Sequence, residues 1–150
     1  MSDGPYLYDI GEVALAHAGT PVSETPLSYV TDAIGGTIDA VVPYPALFGA
    51  HVVLSNYYGF SNADASRLMG NFADASRVHW YDKMAESTVR AGFGLAADHN
   101  IDGWDGDYAR VALEEGVETI LTLDADFEAV DNVTANVMPS PEECATLNEY

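Results

Sequence analysis

"ETILTLDADF", residues 118–127, is the stretch that decides the reading of this chain. Ile120, Leu121 and Leu123 read as the end of a buried strand, and Asp124 and Asp126 follow at once. In open α/β sheets ligands bind just beyond the carboxyl ends of strands. Two carboxylates at such a tip therefore either cap the next turn or belong to a cation site. The segments on both sides are needed to choose.

Working outward, Tyr108, Val111 and Ala112 mark a helix from about 104 to Glu115, with Gly116 as its left-handed cap. Downstream, "NVTANVM" (132–138) reads as a last strand, and Pro141 opens a short terminal helix. At the other end "YLYDI" (6–10) is a short apolar strand stopping at Asp9, and Gly11 opens a helix through about Ala18. "GTP" (19–21) breaks it, a second helix covers 23–34, and "GG" (35–36) leads into the strand "TIDAVVP" (37–43). An apolar helix follows from Ala46 to Tyr58. Ser61 and Asp64 then form a Ser-x-x-Asp cap, and Ala65, Leu68, Met69, Phe72 and Ala73 recur at helical spacing as one buried stripe. "RVHW" (77–80) is a strand, and Met84, Thr88, Ala91 and Leu95 mark a long helix over 82–98 that Gly92 and Gly94 weaken. Strands alternating with helices imply an α/β layered domain with a mainly parallel sheet. Glycines and prolines fall at junctions, so residues 1–150 are expected to form one domain.

Composition narrows the function classes. At 48% hydrophobic and 11% aromatic residues, the chain is too apolar for disorder. It lacks the run of about 18 apolar residues a membrane span requires. "MSDGPYLYDI" has neither the basic nor the apolar region of an export signal. Cys144 is the only cysteine, which excludes an intrachain disulfide and a cysteine-cluster metal site. The expectation is a reducing cytoplasm with no membrane partner. The charge is extreme: 24 acidic residues against 5 basic ones, net −19, spread from Asp3 to Glu149, with Lys83 the only lysine. Self-repulsion of this size is tolerable where salt screens it, the Debye length falling to about 3 Å at 1 M. The composition resembles that of proteins from salt-loving archaea; a basic partner covering the surface is the alternative.

Asp9 ends the first strand and Asp124 the fourth, so neighbouring strands would bring them together although they are far apart in sequence. Asp105, in "GWDGDYA" (103–109), starts the helix that feeds the strand ending at Asp124. Converging carboxylates must hold a proton or a cation. Oxygen ligands without cysteine or paired histidines suit Mg²⁺ or Mn²⁺, an apparatus that attacks phosphodiesters. Taken singly, Asp105 is equally a dipole-favoured helix residue and Asp124 a turn former.

These stretches resemble the PIN-domain ribonucleases, best known as the toxins of VapBC toxin–antitoxin pairs, and the similarity runs from "YLYDIG" to "SPEE". Asp9 matches the family's strand-ending aspartate, with Ile10-Gly11 in place of the usual polar pair. Asp105 through Ala109 match its Asp-x-x-x-Ala helix start. Thr122, Asp124, Asp126 and Phe127 match its Thr-x-Asp-x-Asp-Phe turn. The resemblance implies a PIN-like three-layer α/β/α domain that uses Mg²⁺ or Mn²⁺ to hydrolyse single-stranded RNA, leaving a 5′-phosphate and a 3′-hydroxyl. Asp9, Asp105 and Asp124 would hold the ion. Asp126 would be an outer ligand or the cap of its turn, and Thr122 would position a carboxylate or water. A homodimer and an antitoxin partner are also implied.

One part departs. The family's glutamate in the helix after the second strand has no counterpart in "PYPALFGAHVVLS" (43–55), where Gly49, Ala50 or His51 falls at its place. His51 either supplies a ligand or is satisfied locally. Glu12, one turn beyond Asp9, either supplies the missing charge or faces solvent. The competing reading is a PIN-like module that binds RNA or protein without cutting. A phospho-receiver domain would need a lysine after a late strand, and Lys83 opens a helix instead. Arg67, Arg77, Lys83 and Arg90, with Trp80 and Tyr81, either form a stacking and phosphate-binding strip or are core and surface ion-pair members.

Overall fold

Five strands, β1 (Asp3–Tyr8), β2 (Ile38–Pro43), β3 (His79–Tyr81), β4 (Thr119–Thr122) and β5 (Thr134–Val137), pair in parallel in the order β3-β2-β1-β4-β5. The computed structural model describes residues 3–83, 85–123 and 134–137. Parallel neighbours need long crossovers, and among the described residues six helices supply those that join β1 to β2, β2 to β3 and β3 to β4: α1 (Ile10–Ala18), α2 (Glu24–Gly35), α3 (Pro45–Asn56), α4 (Asn62–Ala73), α5 (Glu86–His99) and α6 (Gly103–Glu115). Met84, the segment carrying Asp124, Asp126 and Phe127, the expected helix from Pro141 and Cys144 lie outside the described residues.

Register and the two-residue alternation of strands sort the helices into layers. Tyr8 faces α2 and donates its hydroxyl to the Tyr29 carbonyl at 2.6 Å. Val42, on β2, pairs with Trp80 of β3, whose ring meets Phe72 of α4 edge-on at 5.1 Å and stacks on Tyr44. The next residue, Tyr81, points to the opposite face and meets Arg110 of α6. Helices α1 to α4 pack on one another, and α5 packs on α6, which gives an α/β/α arrangement of three layers. The central strands are buried on both faces, with Leu7, Tyr8, Val42, Ile120 and Leu121 fully inaccessible. This is why they read as near-continuous apolar runs.

The caps follow the local chemistry. Ser61 accepts from the Asp64 N–H at 3.1 Å, and Gly116 closes α6 at φ 67°, a left-handed conformation in which glycine avoids a Cβ clash. The expected stripe of α4 is buried at Ala65, Met69 and Phe72. The long helix departs from its sequence reading. Its buried position is Gly92 rather than Ala91, because a Cβ on Gly106 of α6 would come within 2.3 Å of the Gly92 carbonyl. The glycines that weaken α5 intrinsically are what let it approach α6. No described helix is long and apolar enough to cross a membrane.

Candidate functional site

Strand order puts the carboxyl ends of β1 and β4 side by side where the connections turn to opposite sides of β1, the switch point at which open α/β sheets form clefts. Asp9 follows β1 immediately. Its backbone is extended (φ −88°, ψ 177°), it is the N-cap of α1, and Oδ1 accepts from the Glu12 N–H at 3.1 Å. Its own N–H donates to the Leu121 carbonyl at 3.2 Å, which carries the ladder one residue past β1. Because Tyr8 is in register with Leu121, Thr122 lands beside Asp9, and its hydroxyl donates to Oδ2 across 113 residues of sequence. Both oxygens of Asp9 are thus held by the scaffold.

Asp105 arrives from the other layer. It sits in the first turn of α6, and its N–H donates at 2.8 Å to Asp102, the N-cap. Asp9 and Asp105 are only 6% and 7% exposed. One turn further along α6, the buried Tyr108 has a phenol whose pKa is pushed well above its ordinary value by burial first. The carboxylates of Asp9, Asp107 and Asp105 add to this, and the Ile10 backbone acts in the opposite sense. Tyr108 therefore lies within electrostatic reach of Asp9, which follows β1, as well as of Asp105 on its own helix. Half-exposed Trp104 stacks on the Tyr108 ring at 6.2 Å. Asp102 escaped the sequence reading, and Tyr108 entered it only as a helix marker. The Asp-x-x-Asp spacing signals the first; nothing local distinguishes the second from an ordinary core tyrosine.

Glu12 does not face solvent. It is fully buried, neither carboxylate oxygen has a hydrogen-bond partner among the described residues, and burial together with the neighbouring Asp9 pushes its pKa well above the carboxylate range. The departures from the polar pair prove to be packing. A Cβ at Gly49 would lie 2.2 Å from Ile10 Cδ1, so Ile10 lies across the face of α3 turned toward α1. Gly11 admits the Leu123 side chain, which a Cβ would meet at 3.0 Å. His51, about 200° further round α3, turns to α4, where Nε2 lies 2.9 Å from the Ser66 hydroxyl. Asp9, Thr122, Glu12 and Asp105 are brought to one region and His51 is directed elsewhere; Asp124 and Asp126 are outside the described residues. Among the described residues, no three His, Cys, Asp or Glu side chains gather closely enough to hold an ion. Asp9 and Asp105 are hard-oxygen donors that suit part of a Mg²⁺ or Mn²⁺ shell, completed only with ligands beyond those described.

Of the two readings of the basic residues, the partners found favour core and surface ion-pair members. Arg67 pairs with Asp64 at 2.9 Å and Arg90 with Glu86 at 2.8 Å, while Arg77 donates to the Gly35 carbonyl at the end of α2. Trp80 donates to the Ala75 carbonyl at 3.0 Å, and Tyr81 is buried. Arg110, the basic residue the sequence reading passed over, is interior: it bonds Asp107 at 2.7 Å, Glu114 at 3.0 Å and the Tyr81 hydroxyl at 2.8 Å.

Thr122→Val tests the brace on Asp9. It removes a buried hydrogen bond to a charged group, worth about 1.5–3 kcal/mol. The expected result is a corresponding loss of stability in denaturant titration. An unchanged unfolding midpoint would show that the hydroxyl holds nothing.

No protein-family model matches the chain, and no curated protein matches it. Among solved structures it is similar to PAE2754 from Pyrobaculum aerophilum, at 15% identity and a TM-score of 0.62, over 100% of both chains. It is also similar to FitAcB from Neisseria gonorrhoeae, at 16% identity and a TM-score of 0.55, over 87% of this chain and 95% of that one. At these identities the likeness is one of fold, and the fold is the PIN-like three-layer α/β/α architecture around an all-parallel sheet.

Proposed function

We propose that the chain is a divalent-cation-dependent endoribonuclease of the PIN type, similar to the toxins of VapBC pairs, hydrolysing phosphodiester bonds in single-stranded RNA. The observation that supports this reading is the buried Asp9 at the switch point, braced by Thr122 and within electrostatic reach of Tyr108, which follows the buried Asp105 by one turn of α6. Buried carboxylates that gather in one region favour a proton or a cation among them. Asp9 and Asp105, joined by Asp124, would hold Mg²⁺ or Mn²⁺. When bound, the ion lowers the pKa of a water and stabilises charge growing on the phosphate. Thr122 keeps the Asp9 carboxylate in one orientation. The test is cleavage of a labelled single-stranded RNA in molar KCl with Mn²⁺. Cleavage should stop with EDTA and with Asp124→Asn; equal cleavage by that variant would overturn the assignment.

A second reading, a PIN-like module that binds RNA or protein without cutting, draws support from α3, which carries no acid and whose α1-facing side is filled by Ile10. RNA retained but intact with Mn²⁺ present would favour it. A cytoplasmic setting, a homodimer and an antitoxin partner accompany the nuclease reading as parts of the same proposal.

The net charge of −19 supports a high-salt origin. The melting temperature is expected to rise steadily between about 0.1 M and about 3 M KCl, as the screening length shrinks from roughly 10 Å toward and below 3 Å. A flat profile would count against adaptation to salt.

A further inference from the structure

We propose that Glu12 is a ligand of the divalent cation, supplying from α1 the carboxylate that α3 lacks. This rests on the cation-site reading above and adds to it a carboxylate beside Asp9. The first observation is an unexplained group: Glu12 is fully buried and both its oxygens lack a hydrogen-bond partner among the described residues. An unsatisfied buried polar atom costs about 1–3 kcal/mol, so a purely structural role would be better filled by leucine or methionine. Such groups in folded proteins call for an explanation such as an ion. The second observation is position. Glu12 lies one turn into the helix that Asp9 caps, its N–H bonded to Asp9 Oδ1, and its carboxyl is close enough to Asp9 to feel its charge.

The third observation comes from the opposite side. Residues 40–63 contain no aspartate or glutamate, and the α1-facing surface of α3 is closed by Ile10 lying where a Gly49 Cβ would be 2.2 Å away. An acidic side chain at Gly49 would displace Ile10. The side of Asp9 toward α3 is thus apolar, while the α1 side holds a buried carboxyl without a counter-charge. A hard cation beside Asp9 and Glu12 would remove their mutual repulsion and satisfy the Glu12 carboxylate.

Binding of Mn²⁺ to the full chain in molar KCl tests this, read by electron paramagnetic resonance and by the rise in melting temperature that binding produces. The wild type is expected to bind and be stabilised. Glu12→Gln should bind Mn²⁺ at least about 10-fold more weakly, the lower end of what outer-shell partners alone cost, while its metal-free melting temperature holds or rises. Glu12→Leu should behave alike, giving a second folded variant should the first misfold. Asp74→Asn, at the exposed end of α4, controls for the simple loss of one surface charge and should bind as the wild type does. Wild-type affinity in Glu12→Gln, with binding lost in Asp9→Asn, overturns the role of Glu12 and leaves the cation site standing. No binding by the wild type overturns both.

Discussion

Asp9→Asn and Asp105→Asn are each expected to lower Mn²⁺-dependent RNA cleavage by more than about 100-fold while leaving the fold intact. Replacing groups that merely orient metal ligands costs 10–100-fold, and loss of a ligand itself should exceed that range. Both variants are built to survive. Asparagine caps helices as well as aspartate does, so the amide oxygen in Asp9→Asn can still accept from the Glu12 N–H or from Thr122. Asp105 belongs to a first turn already capped by Asp102, so Asp105→Asn costs only part of a favourable dipole interaction. Cleavage rates set beside circular dichroism and melting curves separate chemistry from folding. Wild-type rates in either variant would remove that residue from the site, and wild-type rates in both would end the nuclease reading.

Arg110→Ala is expected to destabilise the chain by about 3–5 kcal/mol, the cost of removing one partner from a buried ion pair. For a chain of this size that corresponds to a fall of roughly 6–20 °C in melting temperature. Burial opposes the Arg110 charge, but the hydrogen bonds with Tyr81 and Asp107 outweigh it, so its pKa stands above the ordinary value. The guanidinium also lies 5.4 Å from the centre of the Tyr81 ring. Without it, Asp107 is left at 14% side-chain exposure without the guanidinium that pairs with it. Glu114→Gln makes the contrast. That carboxylate is 40% exposed, and exposed pairs are worth about 0–1 kcal/mol. Denaturant unfolding in molar KCl measures both, and a loss under about 1 kcal/mol for Arg110→Ala would show that the network holds no stability.

Much of the frame was legible beforehand because it depends on neighbours in sequence. The Ser61 cap, the Gly116 terminus and the α4 stripe are local, and the structure has them where expected. Strand ends shift by a residue or more: β3 runs His79–Tyr81 rather than 77–80, because its pairing with Val41 through Pro43 sets its limits. What local pattern could not give was the use made of a residue. Gly92 looks like a helix weakness until Gly106 is packed against it, and Arg77 looks like a phosphate ligand until it bonds the end of α2. Glu12 on its own is an ordinary first-turn glutamate of a capped helix; only the neighbours around α1 show that its carboxyl is inside.

By itself the sequence determined the alternation of strands and helices, the aspartates at element ends and the acidity of the surface, since each follows from residue type and short-range spacing. Tertiary structure decided what surrounds Asp9. The order β3-β2-β1-β4-β5 sets β1 beside β4 and lets Thr122 reach Asp9, and the packing of α6 brings Tyr108 within reach of the Asp9 charge. It likewise decided that Ile10 closes the α3 side and that Glu12 and Arg110 are interior. The physical reason is that burial and partnership belong to pairs of segments distant along the chain, and no single segment encodes its partner.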